Sequence, residues 1–191
     1  MNHALFTFIN GYAGKNVIVD TAAVALAEYL PLIFIAFLGY LWFFRKESRE
    51  EVLMTCVAAL FALTMNVAIG LLYFHPRPFM DHPVNQLIAH AAETSFPSDH
   101  ATFMLALSLM LAICRRTRTA GLLFVVLSFA GGFARVFCGV HYPLDIAGSF
   151  LVALLASGLV RSLHSRLSSC SQAVLGKYDI IAAKLVIARR Q

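Results

Sequence analysis

Charge is scarce in this chain, and the scarcity sets its class before any motif is read. Only 13% of its 191 residues are Asp, Glu, Lys or Arg, whereas 60% are hydrophobic and the mean hydropathy is +0.76. So little charge excludes an ordinary soluble domain and leaves an integral membrane protein. Cys56, Cys114, Cys138 and Cys170 are scattered without a C-x-x-C pair, so they indicate neither a zinc site nor a disulfide framework but small packing residues. H-E-x-x-H, a carboxylate cluster and a Walker loop are absent, and neither metal nor cofactor is expected. The net charge of +5 does not form a basic stripe interleaved with aromatics, so a nucleic-acid partner is not expected. The N-terminus lacks a basic stretch ahead of a short apolar core, and no cleavable signal peptide is expected.

What the chain does have is long apolar runs. They fall at Val17–Phe44, Val52–Phe74, from Pro97 and Ser98 to Cys114, at Thr119–Cys138 and at Pro143–Val160. The third is the shortest, about 17 residues, the lower limit for crossing a bilayer. Ala4–Ile9 is too short to cross and reads as an interfacial helix, broken by Asn10-Gly11 and Gly14. The predicted fold is all-α: a polytopic membrane helix bundle of about five transmembrane helices plus an interfacial N-terminal helix. Residues 1–191 form one domain, with a core over about 52–160 and a basic tail over 161–191 that holds an amphipathic stretch around Tyr178–Ile187.

The few charges are sorted. Of fifteen Lys and Arg, only Lys15, Arg77 and Arg135 lie on the side of the N-terminus; the other twelve lie in 45–51, 115–118 and from Arg161 onward. The positive-inside rule puts the twelve in the cytoplasm. The N-terminus, the His75–Pro97 loop and the turn at His141 then share the outer face of the membrane.

Two of the three outer arginines sit in sequences that carry chemistry. Arg135–Asp145, RVFCGVHYPLD, puts a guanidinium, an imidazole and a carboxylate within eleven residues. Pro143 suits the first helical turn, so Asp145 points back at His141, fixing its tautomer and freeing its other nitrogen to attack. His75-Pro76-Arg77-Pro78 and Phe96-Pro97-Ser98-Asp99-His100 reach the same face. Ser98 is a helix N-cap, and free N–H groups at a helix start bind anions. Two histidines on separate segments divide the labour of phosphoryl transfer. His141 is the nucleophile and His100 the acid, then the base for water, while Arg77 and Arg135 neutralise the moving charge.

The three segments resemble the motifs of the phosphatidic-acid phosphatase type 2 superfamily. Arg77-Pro78 matches the end of the first motif, whose Lys position is Gly70 here. Pro97-Ser98-Asp99-His100 matches the second with Asp99 for Gly, and Ala134-Arg135 through His141 to Asp145 matches the third with Ala134 for Ser. Within that superfamily, HPRPF, SFPSDH and GVHYPLD are most similar to the bacitracin-resistance undecaprenyl-diphosphate phosphatases. The resemblance implies an acid-phosphatase-like helical core and a metal-free phosphohistidine mechanism. It also implies a polyprenyl diphosphate substrate hydrolysed to the monophosphate at the outer face of a bacterial inner membrane.

His141, His100 and Asp145 are therefore the expected catalytic residues, and Arg77, Arg135, Ser98 and Asp99 the expected phosphate-binding set. Pro97, His75, Glu93 and Glu28 are further candidates, Glu28 through an ion pair with Arg77 or Lys15. His75, Asn66 and Lys15 are the candidates to replace the missing Lys. A lipid phosphotransferase and a lipid-monophosphate phosphatase would share this site. A transporter would instead place polar residues at mid-membrane.

Overall fold

The computed structural model describes residues 1–188, with side-chain surroundings through residue 181; the tail's Arg189 and Arg190 and the side chain of Lys184 lie outside the described residues. Eight α-helices follow in order: α1 Asn2–Asn10, α2 Val17–Phe44, α3 Arg49–Leu72, α4 Pro78–Asp81, α5 Asp99–Ile113, α6 Arg118–Phe137, α7 Pro143–Ser162 and α8 His164–Ala188, with a 3-10 turn at Lys46–Ser48 before α3. Their ends follow local chemistry. The Asn16 side chain accepts from the Ile18 and Val19 amides at the start of α2, and Ser98 caps α5. α7 opens with Pro143 at its first turn and a reciprocal cap between Tyr142 and Asp145. All four cysteines are free.

Among the described residues, four helices are long and apolar enough to cross a membrane: α2, the 46–72 helix, α6 and α7. The chain is a multi-pass membrane protein. The expected fifth span, α5, is 15 residues, about 22 Å at 1.5 Å per residue, short of a hydrocarbon core of about 30 Å. Its role is central rather than lipid-facing. Met104, Leu105, Ala106, Leu107 and Met110 are fully buried, and α5 packs against α3, α6 and α7. A helix apolar on every side belongs inside a bundle.

The two ends of the bundle differ. At one end α8 folds back against α3: Arg49 donates to the Trp42 carbonyl and to Asp179, and the Ser168 hydroxyl donates to Glu50. At the other end α1 lies across α6 and α7 with Phe6 buried. There the Asn10 amide donates to the carbonyls of Asn85 and Phe137, while its oxygen accepts from the Asn85 N–H. That clamp ties the 73–98 loop to the end of α6. The three sequence segments with chemical content all gather at this second end.

Candidate active site

His141 sits in the turn between α6 and α7. The turn needs Gly139, which has φ +83° and lies so close to the 85–86 backbone that a Cβ would come within 2.9 Å of the Asn85 oxygen. The imidazole is 1% exposed. Its Nε2 lies 3.0 Å from Arg77 Nη1. Arginine can only donate, so Nε2 is the acceptor and Nδ1 carries the hydrogen. Nδ1 donates to the Ser95 carbonyl at 3.0 Å. Burial, then the charges of Arg135 and Arg77, holds the His141 pKa well below the usual imidazole range. The ring is therefore neutral at pH 7, its lone pair on the nitrogen that faces the arginine.

Asp145 takes a less direct part than the spacing predicts. Its Oδ2 is 3.4 Å from His141 Nδ1, beyond the nearer Ser95 carbonyl. The same oxygen accepts from the Tyr142 N–H at 2.7 Å and from the Ser95 hydroxyl, so its lone pairs are already committed. Ser95 thus serves both sides of the pair, and the sequence reading missed it. The backbone holds it in place, its N–H donating to the His75 carbonyl at 2.7 Å. His75 packs its ring edge-on to Tyr142 and anchors Ser95 through its backbone carbonyl; it is not among the residues that line the cavity, and its buried Nδ1 has no partner among the described residues.

That cavity, about 350 Å³, is lined by Glu28, His90, His100 and Arg135 with the 88–91 backbone segment. Arg135 is 2% exposed. Its Nη1 donates to the Ala27 carbonyl of α2 at 3.2 Å, while Nε and Nη2 have no partner among the described residues. Arg77, also buried, donates through Nη1 to the Val140 carbonyl at 3.0 Å and through Nη2 to Glu93 at 3.2 Å, and its Nε has no partner. Burial lowers the Arg77 pKa, and Glu93 and Asp145 oppose it. Buried donors without acceptors are costly, and planar guanidinium edges match a phosphate. His90 joins the two halves of the site: it lines the cavity, and its ring stands 6.2 Å from that of His141.

The remaining candidates are placed as follows. Ser98 and Pro97 are buried, and the Ser98 hydroxyl accepts from the Ala101 N–H as the cap of α5. Asp99 turns away toward α3, where its carboxylate accepts from the Asn66 amide at 2.8 Å. Asn66 also holds Thr102, so it restrains Asp99 and does not stand in for the missing Lys. Lys15 is likewise elsewhere, over the Tyr12 ring. At Gly70 itself a Cβ would lie 3.1 Å from the Thr94 methyl, so the loop closes over the spot from which a Lys would extend. Glu93 bridges Arg77 and His90 from an exposed position. Glu28 lies beside Arg135 in the cavity lining rather than against Arg77 or Lys15, and makes no ion pair within 4.0 Å among the described residues. No three His, Cys, Asp or Glu side chains cluster among the described residues, and no metal site is assigned.

Known proteins resemble this chain in sequence and in fold. The sequence pattern of the PAP2 superfamily matches residues 51–169. The undecaprenyl-diphosphatase BcrC of Bacillus subtilis (strain 168) is 37% identical over 186 residues, covering 97% of this chain and 95% of that protein. The bacitracin transport permease protein BcrC of Bacillus licheniformis is 30% identical, covering 97% and 91%. The crystal structure of Aquifex aeolicus LpxE superposes with a TM-score of 0.69 at 23% identity, over 84% of this chain and 94% of that one, a likeness of fold. The chain belongs to the PAP2 superfamily.

Proposed function

We propose that this protein hydrolyses the terminal phosphate of a polyprenyl diphosphate, undecaprenyl diphosphate first among candidates, at the extracytoplasmic face of the bacterial inner membrane. The observation that carries the reading is the pairing of a neutral, tautomer-fixed His141 with two buried arginines whose N–H edges lack acceptors. The name of the B. subtilis relative supports the substrate, and the charge asymmetry supports the orientation.

In this reading the phosphate displaces Arg77 from Nε2 and takes the free edges of Arg77 and Arg135. The Nε2 lone pair attacks the terminal phosphorus, and the bond to the bridging oxygen breaks. The bridging electron pair leaves on undecaprenyl monophosphate, whose oxygen takes a proton from His100; burial, then Arg135, holds the pKa of His100 at about 4 in the empty site, and the negative charge of the bound diphosphate brings in the proton that it donates. A monophosphate ionises with a second pKa of about 6, so this departure needs little acid help. Neutral His100 then takes a proton from water as the water attacks the phosphohistidine, releasing inorganic phosphate and restoring both rings. No step requires a metal. Ser98 serves as the cap that aims the α5 amides at the cavity.

Purified protein in detergent with EDTA is expected to release phosphate from undecaprenyl diphosphate. His141→Ala is expected to lower the rate about 10⁴-fold or more. His100→Asn is expected to accumulate a radiolabelled, acid-labile phosphoenzyme, because water attack loses its base. Full dependence on added metal, or wild-type turnover in His141→Ala, refutes the reading. A phosphorylated acceptor lipid in place of free phosphate makes the protein a phosphotransferase. The name of the B. licheniformis relative raises transport, but the residues assigned here to catalysis belong to segments that meet at one end of the bundle.

A further inference from the structure

The Arg135 guanidinium is held by a helix that lies outside the family-matched region. Its acceptor, the Ala27 carbonyl, belongs to α2, whereas the superfamily pattern begins at residue 51. In an intact α-helix that carbonyl is already taken, because the N–H four residues later donates to it. Four residues after Ala27 stands Pro31, inside α2, and proline has no N–H. The carbonyl is therefore an orphan of its own helix, fully buried at a residue of 0% exposure, where an unsatisfied acceptor is costly. Arg135 Nη1 satisfies it at 3.2 Å. The two helices meet closely because α6 carries Gly131 one turn before Arg135: a Cβ there would lie 3.0 Å from Leu30 Cδ2 of α2.

We propose that Pro31 is a positioning residue of the anion site: by withholding an N–H from Ala27, it reserves that carbonyl for Arg135 Nη1 and keeps Nε and Nη2 directed at the phosphate. Arginine side chains are long and rotamer-rich, and fixing one before the ligand arrives removes an ordering cost from binding. Among the described residues the Ala27 carbonyl is the one hydrogen-bond partner of the Arg135 guanidinium, so this contact carries its polar restraint. A proline in a spanning helix also bends it, and the test separates the two effects.

The inference rests on Arg135 binding phosphate, as in the function proposed above, and inorganic orthophosphate probes that without a lipid. Pro31→Ala and Pro31→Gly both restore an N–H at position 31. Each is expected to weaken orthophosphate binding about tenfold and to raise KM for undecaprenyl diphosphate by a similar factor, with kcat falling less than KM rises. Melting followed by the single Trp42 verifies that both variants are folded, and glycine serves if alanine does not fold. In an Arg135→Ala background, Pro31→Ala is expected to change KM less than twofold, the non-additivity of two residues acting through one contact. An unchanged orthophosphate affinity in the folded variants overturns the inference, as does an equal loss in the Arg135→Ala background, which would assign the effect to helix bending. Wild-type protein that binds orthophosphate but leaves undecaprenyl diphosphate intact removes the substrate reading alone. Wild-type protein that binds neither removes both.

Discussion

Arg49 and Arg135 are both buried arginines in a membrane protein, one at each end of the bundle, and their surroundings are opposite. Arg49 is answered on every side: it donates to the Trp42 carbonyl at 2.9 Å, pairs with Asp179 at 2.9 Å and lies over the rings of Trp42 and Tyr178. Arg135 has one backbone carbonyl and two buried donor atoms with nothing to bind. A guanidinium whose donors are met holds helices together. One left short, beside a cavity, is arranged for a guest. The distinction is invisible to charge or burial alone, since both are under a tenth exposed.

The sharpest way to test this contrast is to remove each arginine. Arg135→Ala is expected to lower kcat/KM by about 10²–10³-fold, the scale of losing a positioned charge donor at a reacting oxyanion, with the melting temperature nearly kept. Arg49→Ala is expected to leave turnover per folded molecule unchanged. If Arg49→Ala abolished turnover in folded protein, or Arg135→Ala only lowered stability, the contrast would fail. Ser95→Ala comes next. It leaves the carbonyl that accepts from His141 but takes one donor from Asp145, and a lost hydrogen bond of about 1–1.5 kcal/mol corresponds to roughly a tenfold lower kcat at steady KM. Steady-state kinetics with Ser95→Thr as the rescue would check it, and an unchanged kcat would show that the hydroxyl is only filler.

Smaller still is the effect of pH on stability. The folded-state pKa of His141 lies below its unfolded value of about 6.5. Between the two, the unfolded chain binds a proton that the folded chain refuses. Stability is therefore full above about pH 6.5 and is lost as the pH falls. His90, lowered by burial and by Arg77, adds in the same direction. Melting curves from pH 7 to 5 should fall for the wild type and flatten in His141→Asn. Arg49→Ala is expected to lower stability by only about 1–2 kcal/mol, since its partner Asp179 is largely exposed.

Much of this was legible in the sequence because its cause is local. The limits of α2 and the start of α7 follow from caps, a proline and the edges of apolar runs. The candidates Arg77, His100, Arg135, His141 and Asp145 were named from motif spacing, and the segments that carry them meet at one end of the bundle. What was not legible arises where distant segments compete for one atom. Spacing predicted that Asp145 would hold His141, but the Ser95 carbonyl, brought in by the 73–98 loop, is nearer. Glu28 was expected to seek Arg77 or Lys15, yet α2 packs on α6 and leaves it beside Arg135. Asp99 was expected in the phosphate-binding set, and only the α3–α5 contact shows Asn66 drawing it aside. The Ala27 carbonyl was in principle readable, because every proline inside a helix frees the oxygen four residues before it; the residue that uses it was not.

The brevity of α5 bears on how a lipid would meet this protein. A rod of about 22 Å cannot have both tips at the two surfaces of a hydrocarbon layer about 30 Å deep. At least one tip of α5 must therefore lie beneath the level of a surface, lined by the helices that enclose it rather than by lipid. If that tip is the N-terminal one, a phosphorylated headgroup sinks a few ångströms to reach His141, leaving its own shell of solvent behind on the way.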